Sequence, residues 1–86
     1  DLLVYPNPVR HDYDGMVAVK GLKNNSLCKI TDASGKLVWQ GYSDGGQLVW
    51  NCKDHFGNRP ATGVYFVMAS DEDGKEKIVT KFLFIH

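Results

Sequence analysis

The histidines and cysteines are the residues of this chain that could bind a metal or attack a substrate. There are three histidines, His11, His55 and His86, and two cysteines, Cys28 and Cys52. No histidine has another histidine or a cysteine at the spacing of a zinc site. The sequence also lacks a G-x-S-x-G turn, and neither cysteine lies beside a plausible histidine base. We therefore predict no metal centre and no nucleophilic catalysis.

The carboxylates cluster at one place, in the run Asp71-Glu72-Asp73-Gly74. This run is similar to the start of a calcium-binding loop, but the remaining ligand positions and the distal glutamate are missing. Aspartate and glycine are also the residues that favour tight turns between strands. We predict a solvated hairpin tip at this position, and accordingly neither an enzyme nor a bound cofactor.

The two cysteines allow two interpretations. Cys28 is in register with Ile30 on a predicted strand and so faces the core, whereas Cys52 follows the strand that ends at Trp50. A disulfide is geometrically possible if the two strands are neighbours, and an exported protein would permit one. Two buried free thiols are the alternative, and this is the interpretation we favour.

Trp39, Tyr42 and Trp50 could together offer a flat surface on which a sugar ring stacks. Aromatic residues in strands more often pack the core of a sandwich or cover its rim. A carbohydrate-binding module is therefore a minor alternative for the function of this chain.

Composition limits the remaining classes of function. The chain has 86 residues, of which 43% are hydrophobic and 23% charged, as in an ordinary folded domain. Its formal net charge is zero, and it lacks the clustered basic residues that bind nucleic acid. No apolar run approaches the length of a membrane span. Because it begins at Asp1 without a methionine or a leader, we expect residues 1–86 to be a single domain excised from a longer protein, at its C-terminal end.

The elements that must position any site are organised around two apolar runs, Gln47–Trp50 and Val64–Ala69. The second run is apolar on both of its alternating faces, which predicts a central strand. The segment Asn51–Thr62 between them is rich in turn formers and predicts a crossover between two sheets. Gly63 then allows a sharp turn, and Tyr65 lies where immunoglobulin-like domains place a tyrosine whose hydroxyl bonds to upstream backbone.

The rest of the chain predicts further short strands. Leu27–Ala33 and Lys36–Gly41 form the clearest hairpin, and Glu76–Ile85 is the last strand. Pro6 and Pro8 interrupt the first strand, so this segment should lie at an edge or switch sheets. No helical periodicity persists. The predicted fold is all-β, an immunoglobulin-like antiparallel β-sandwich of about seven strands.

Several stretches together resemble the C-terminal sorting domain of cargo proteins of the type IX secretion system of Bacteroidetes. They are V-Y-P-N-P-V at residues 4–9, I-T-D-A-S-G-K-L-V at 30–38, W-N-C-K-D-H-F-G-N-R-P-A-T-G-V-Y at 50–65 and K-F-L-F-I at 81–85. The third stretch is also similar to immunoglobulin-like domains of flagellar hook-capping proteins. The proline motif and the terminal strand favour the sorting domain.

The resemblance implies that the domain is a targeting signal and not an enzyme. In that family the domain directs a folded passenger from the periplasm through the outer membrane to the cell surface. A surface sortase usually then removes the domain and joins the passenger to anionic lipopolysaccharide. The implied partners are the outer-membrane translocon, a shuttle protein or the sortase, with anionic lipopolysaccharide as a further one. The positions that match the family motifs, and that we expect to bind, are Pro6, Asn7, Pro8, Gly63, Tyr65, Lys81, Phe82, Leu83, Phe84 and Ile85.

Two departures from the family pattern leave open whether this copy is cleaved or retained. Cys52 stands where relatives often have glycine, and His86 replaces a more usual basic or polar ending. The alternative function is a retained structural module of a surface or cell-envelope protein, including the secretion or attachment machinery itself.

The last strand suggests how a partner would bind. Phe82 and Phe84 alternate with Leu83 and Ile85, so the strand is apolar on both faces. Either both faces are covered within the sandwich, or the strand leaves apolar surface and an edge to which a receptor adds a strand. A free edge would also allow two copies of the domain to pair.

Overall fold

The computed structural model describes residues 2–86, which form strands and no helix. The strands are β1 (Leu3–Tyr5), β2 (Val17–Lys20), β3 (Leu27–Thr31), β4 (Leu37–Tyr42), β5 (Gln47–Trp50), β6 (Gly63–Ser70) and β7 (Glu76–Phe84). They form two antiparallel sheets, with the orders β1-β2-β5 and β4-β3-β6-β7. The predicted all-β sandwich of about seven strands is confirmed.

The core is built by the alternation of side chains along the strands of both sheets. Val19 on β2 and Leu48 and Trp50 on β5 point inward from the three-stranded sheet and are at most 2% exposed. The Trp50 ring lies between the two terminal phenylalanines of β7, with its centroid 6.1 Å from that of Phe82 and 5.8 Å from that of Phe84. The last strand therefore supplies much of the aromatic centre of the core.

The strand β6 is central, as predicted, because it pairs with β3 on one side and β7 on the other. Its two apolar faces have different surroundings. Tyr65 and Val67 face the core and are buried, whereas Val64 on the opposite face is 41% exposed. No second layer within residues 2–86 covers that outer face. The apolar residues on the inner face of β6 therefore form part of the core, and those on its outer face leave an exposed apolar surface.

Three turns share one hydrogen-bonding pattern. They are Asp32–Lys36, Asp54–Asn58 and Asp71–Lys75, and in each the aspartate Oδ1 accepts backbone N–H groups two and four residues ahead. The fourth residue of each turn is a glycine with positive φ, at 89° for Gly35, 83° for Gly57 and 79° for Gly74. A glycine suits this left-handed backbone because it has no Cβ. The acidic run at 71–74 is thus a hairpin tip, as predicted.

Candidate protein-binding site

The N-terminal proline segment and the end of the last strand, which are more than seventy residues apart in the sequence, lie side by side. The Val9 amide donates to the Leu83 carbonyl at 2.8 Å, and the Ile85 amide donates to the Val9 carbonyl at 2.7 Å. The Asn7 Oδ1 accepts the Leu83 amide at 3.1 Å. We call residues 6–9 and 81–86 together the C-terminal corner.

The prolines direct the chain from one sheet to the other, as predicted. The strand β1 belongs to the three-stranded sheet, whereas Val9 forms a parallel bridge with Phe84 at the edge of the four-stranded sheet. The Tyr5–Pro6 and Asn7–Pro8 peptide bonds are both cis. Since proline has no N–H, neither ring leaves an unpaired donor as the chain changes sheets. Val9 is then fully buried, and this fixes the proline segment against the body of the domain.

The residues with which we expected the last strand to bind fall into two groups. Phe82 and Phe84 are 2% and 0% exposed and belong to the core, so they do not meet a partner while the domain is folded. Lys81 is exposed, Leu83 is 40% exposed, and Ile85 is half-buried. In the structure, the sandwich covers one face of the last strand, and the other face is exposed to solvent. The last strand therefore leaves apolar surface uncovered, as in the second of the two arrangements considered above.

Tyr65 and Gly63 support the corner from within. Tyr65 is 5% exposed, and its hydroxyl donates to the Ala61 carbonyl at 2.5 Å, which confirms the predicted bond to upstream backbone. Burial, with a smaller contribution from the charge of Asp32, raises the pKa of the Tyr65 hydroxyl. Gly63 lies directly opposite Phe84 in the ladder of β6 and β7. Tyr65 is therefore a core residue beside the last strand, whereas Gly63 is half-buried.

Arg59 contacts the corner from the crossover segment and was not identified from the sequence. Its guanidinium donates to the carbonyls of Tyr13 at 2.9 Å, Arg10 at 2.7 Å and Ile85 at 3.2 Å. It also lies 4.6 Å from the centroid of the Phe84 ring, and its Nε is buried without a hydrogen-bond partner. One side chain of the crossover thus connects the N-terminal segment to the end of the last strand.

The last residue is also attached to the crossover between β5 and β6. The His86 amide donates to the Thr62 hydroxyl at 2.9 Å, and its ring Nδ1 lies 2.9 Å from the Pro60 carbonyl. Together with Arg59 and Val9, these contacts hold residues 85 and 86 after β7 has ended. The surface that the corner presents is accordingly fixed in shape.

The exposed part of the corner is apolar with a basic residue beside it. Leu83 is paired across the ladder with Val64, and Lys81 with Phe66, all on the outer face of the four-stranded sheet. Leu83 and Val64 are 40% and 41% exposed. Within residues 2–86 the one salt bridge joins Lys29 to Glu76, so Lys81 has no acidic partner there. Such a surface suits a protein partner with an apolar contact and a carboxylate.

The cysteines are free and buried, as we favoured. The Cys28 thiol points to the Ser26 carbonyl at 3.5 Å and the Cys52 thiol to the Gly15 carbonyl at 3.6 Å. Burial raises the pKa of both thiols, although the charge of Arg59 partly offsets this at Cys52. Cys52 has a φ of 64°, in the left-handed region that favours glycine, so the backbone here would also suit the glycine that the resemblance leads one to expect.

The three aromatic residues considered as a minor alternative for sugar stacking do not form one surface. Trp50 is fully buried, and its Nε1 donates to the Lys53 carbonyl at 2.9 Å. Trp39 packs towards the core across from Ile30, whereas Tyr42 is 64% exposed on the other face of β4. Since the three rings do not share a surface, the interpretation as a carbohydrate-binding module through these residues is wrong.

Residues 2–86 contain no group of three or more His, Cys, Asp or Glu side chains that could hold a metal ion. They contain no helix that is long and apolar enough to cross a membrane.

Comparison with known proteins gives one informative match. A scan of protein-family models finds no match, and a search of curated proteins finds none. Among solved structures, the chain is similar to PorZ, described as an essential bacterial surface component of the type IX secretion system of Porphyromonas gingivalis. The sequences are 40% identical, the TM-score is 0.82, and the match covers 99% of this chain but 11% of that chain. This chain is therefore similar, over nearly its whole length, to a small part of a type IX secretion-system component.

Proposed function

We propose that this domain is a non-catalytic binding module of a type IX secretion system, and that it serves as the sorting domain that takes a passenger protein across the outer membrane. The likeness to part of PorZ supports the link to that system. The observation that carries the proposal is the pairing of the Pro6-Asn7-Pro8 segment with the end of β7 through Asn7 and Val9. The two stretches that resemble sorting motifs thereby form one surface that a single partner can contact.

A partner protein would recognise this surface by its shape and its charge. Asn7, Lys81 and Leu83 are exposed on the corner, while Phe82 and Phe84 attach it to the core. The partners on this proposal are the outer-membrane translocon, a shuttle protein or a surface sortase, with anionic lipopolysaccharide as the lipid to which a passenger is joined. The domain would form the C-terminal part of a longer protein and would pass through the periplasm on its way to the cell surface.

A second candidate function is a retained module of the secretion or attachment machinery. It is favoured by the fact that the similar chain is itself described as a surface component of the system. Mass spectrometry of the mature surface protein separates the two candidates. A cleaved sorting domain leaves no peptides from residues 2–86 on the surface protein, whereas a retained module leaves them all.

The experiment that tests the sorting function must leave the core intact. Deleting residues 82–86 would remove Phe82 and Phe84 from the core and so unfold the domain. Leu83→Glu changes the exposed face of the corner instead. Val49→Glu is the matched control, since Val49 is 42% exposed on β5 of the other sheet, close to the 40% of Leu83.

Each variant would be fused to a fluorescent passenger with a signal peptide and expressed in a bacterium that has a type IX secretion system. We expect Leu83→Glu to leave the passenger in the periplasm, because a buried contact with a partner would then place an unpaired carboxylate in the interface. Val49→Glu should be delivered normally. Unchanged delivery of the Leu83→Glu fusion, with the isolated variant domain shown to be folded by its tryptophan fluorescence, would contradict recognition through the corner.

A further inference from the structure

Four strands lie at the edges of the two sheets, and three of these edges are obstructed. The strand β1 has three residues and ends directly before Pro6. At the start of β5, the amide and the carbonyl of Gln47 both bond back to Asp44. The N-terminal segment closes β7 beside Leu83, and a register shift interrupts the rest of that strand. Prolines, short strands and irregularities of this kind hinder the pairing of a further strand.

The fourth edge strand, β4, lacks these obstacles over most of its length. Its six residues, 37–42, include no proline and no charged side chain. A register shift against β3 lies at the end near Leu37 and leaves residues 39–42 regular. Within residues 2–86, β4 pairs with β3 alone. An uncharged edge of this kind is a template on which another strand can pair.

The neighbouring Ser43 shows which backbone groups of β4 face outward. Its amide donates to the Ser26 carbonyl, on the side of β3, at 2.9 Å. Backbone direction alternates along a strand, so the N–H and C=O of Gly41 also face β3. Those of Gln40 and Tyr42 face away from β3 and have no hydrogen-bond partner within residues 2–86. The free edge therefore offers two residues with both a donor and an acceptor available.

These two residues make the edge complementary to itself. If a second copy of β4 runs antiparallel with the two-fold axis at Gly41, Gln40 of each copy lies opposite Tyr42 of the other. Because both residues have outward groups, each such pair exchanges an N–H···O bond in both directions. The register shift near Leu37 lies outside this span. No like charges meet, since β4 carries no charge, and the net charge of the whole chain is zero.

Side chains on both faces of β4 suit this arrangement. On the outer face Tyr42 is 64% exposed and Gln40 is also exposed, so their contact covers open surface. On the inner face Gly41 lies opposite its copy, at a pair where the two backbones approach closely. A Cβ on Gly41 would overlap the Trp39 ring, so this ring lies over the glycine. The half-buried Trp39 rings of the two copies therefore meet beside the axis.

We propose that two copies of this domain pair through β4, antiparallel and with the two-fold axis at Gly41, so that their four-stranded sheets become one continuous sheet. This pairing is separate from the proposed function, because β4 and β7 are the opposite edges of each four-stranded sheet. The C-terminal corner of each copy remains free at the two ends of the continuous sheet. The pair presents two corners at once, so a partner with two binding sites would bind it more tightly than it binds one copy.

Sedimentation and hydrogen exchange test the pairing in the domain itself. Between micromolar and millimolar concentration, we expect the protein to pass from monomer to dimer. The exchange of the Gln40 and Tyr42 amides should slow as the dimer forms. The Val49 amide is the control, because it faces outward from β5 as the amide of Gln47 does, and it should keep its exchange rate.

Proline substitutions remove an outward N–H without breaking a bond within a sheet. A proline is tolerated in an edge strand where its N–H would face solvent. Gln40→Pro removes one intermolecular bond from each copy, so we expect the dissociation constant of the dimer to rise roughly a hundredfold. Val49→Pro makes the same change on β5 and should dimerise as the wild type does. Urea unfolding followed by tryptophan fluorescence verifies that each variant is folded.

Charge variants define the register while leaving the backbone unchanged. Gln40→Glu combined with Tyr42→Glu places carboxylates opposite each other and should abolish the dimer. Gln40→Glu combined with Tyr42→Lys places unlike charges opposite each other and should preserve it. A register centred on Gln40 would instead set position 40 against itself, so both double variants would then weaken the dimer.

Several outcomes would overturn the inference. They are a monomer at millimolar concentration, slowed exchange at another edge but not at Gln40 and Tyr42, a Gln40→Pro dimer as tight as that of the wild type, and equal loss of the dimer in the two charge variants. The secretion assay with Leu83→Glu is independent of these results. A monomeric domain whose secretion still depends on Leu83 would refute this inference alone. A dimeric domain whose secretion does not depend on Leu83 would refute sorting through the corner alone.

Discussion

Replacing Arg59 tests whether one side chain holds the C-terminal corner together. The guanidinium donates to three backbone carbonyls and lies over the Phe84 ring. A hydrogen bond from a charged group contributes about 1.5–3 kcal/mol when buried, and a cation over an aromatic ring about 0.5–2 kcal/mol. The hydrogen bond to the Arg10 carbonyl is exposed and therefore contributes little to the free energy of unfolding. With incomplete additivity, Arg59→Ala should cost about 3 kcal/mol of unfolding free energy.

The loss is large for a domain of this size but leaves it folded. A chain of 86 residues is expected to have an unfolding free energy of about 5–10 kcal/mol. With a urea dependence of about 1 kcal/mol per molar, the midpoint of urea unfolding should fall by about 3 M. The buried Trp50 and the half-buried Trp39 provide the fluorescence signal. Arg10→Ala is the control, because the side chain of Arg10 is exposed, and it should change stability by less than about 0.5 kcal/mol.

Hydrogen exchange distinguishes a local role from a general one. The amides of Val9 and Ile85 bond across the corner that Arg59 connects. If Arg59 holds these segments, their exchange should accelerate by up to about a hundredfold, since about 3 kcal/mol of opening free energy corresponds to that factor. The reasoning would be refuted if Arg59→Ala lowered the unfolding free energy by less than about 1 kcal/mol and left the exchange of both amides unchanged. That result would show that the pairing of β7 with β6 holds the corner without Arg59.

Two further predictions concern single side chains. Tyr65→Phe should cost about 1–2 kcal/mol in urea unfolding because the Ala61 carbonyl loses its donor, and a cost near zero would contradict a stabilising role for that bond. The Ser34 hydroxyl, and then the backbone N–H of Lys36, hold the pKa of Asp32 below its ordinary value. Asp32 therefore contributes stability above its unfolded pKa of about 3.9 and loses it as pH falls through its lower folded pKa. The stability difference between the wild type and Asp32→Asn should shrink across that window, and a difference independent of pH would contradict this.

The strands and turns were predictable because their causes are local. The alternation of Leu48 and Trp50 against Val49 places the first two in the core, with Val49 exposed. The turn at Asp32–Lys36 follows from aspartate and glycine at fixed offsets. Each of these features depends on residues within a few positions of one another. A periodic pattern or a turn motif therefore contains the information that specifies them.

The corner was only partly predictable because its contacts are long-range. The proline segment and the last strand each resemble a sorting motif, but nothing in the sequence indicates that Val9 pairs with Phe84. Arg59 follows an asparagine and precedes a proline, in a segment without periodicity, so its role emerges only when the crossover lies beside both chain ends. The alternative of a sugar-stacking surface was wrong for a related reason. The residue types of Trp39, Tyr42 and Trp50 do not indicate which of the three rings the opposite sheet will cover.

Val9 closes the outer edge of β7 beside Leu83. Where Val9 pairs, the backbone of β7 is satisfied, and a partner can reach only side chains such as Leu83. On the proposed function, recognition at the corner therefore depends on side chains whose positions are held by the contacts of Arg59 with Ile85 and Phe84. Arg59→Ala should accordingly weaken secretion of a fused passenger even though Leu83 is unchanged. Normal delivery of the Arg59→Ala fusion, with the corner shown by hydrogen exchange to be loosened, would contradict recognition through a corner of fixed shape.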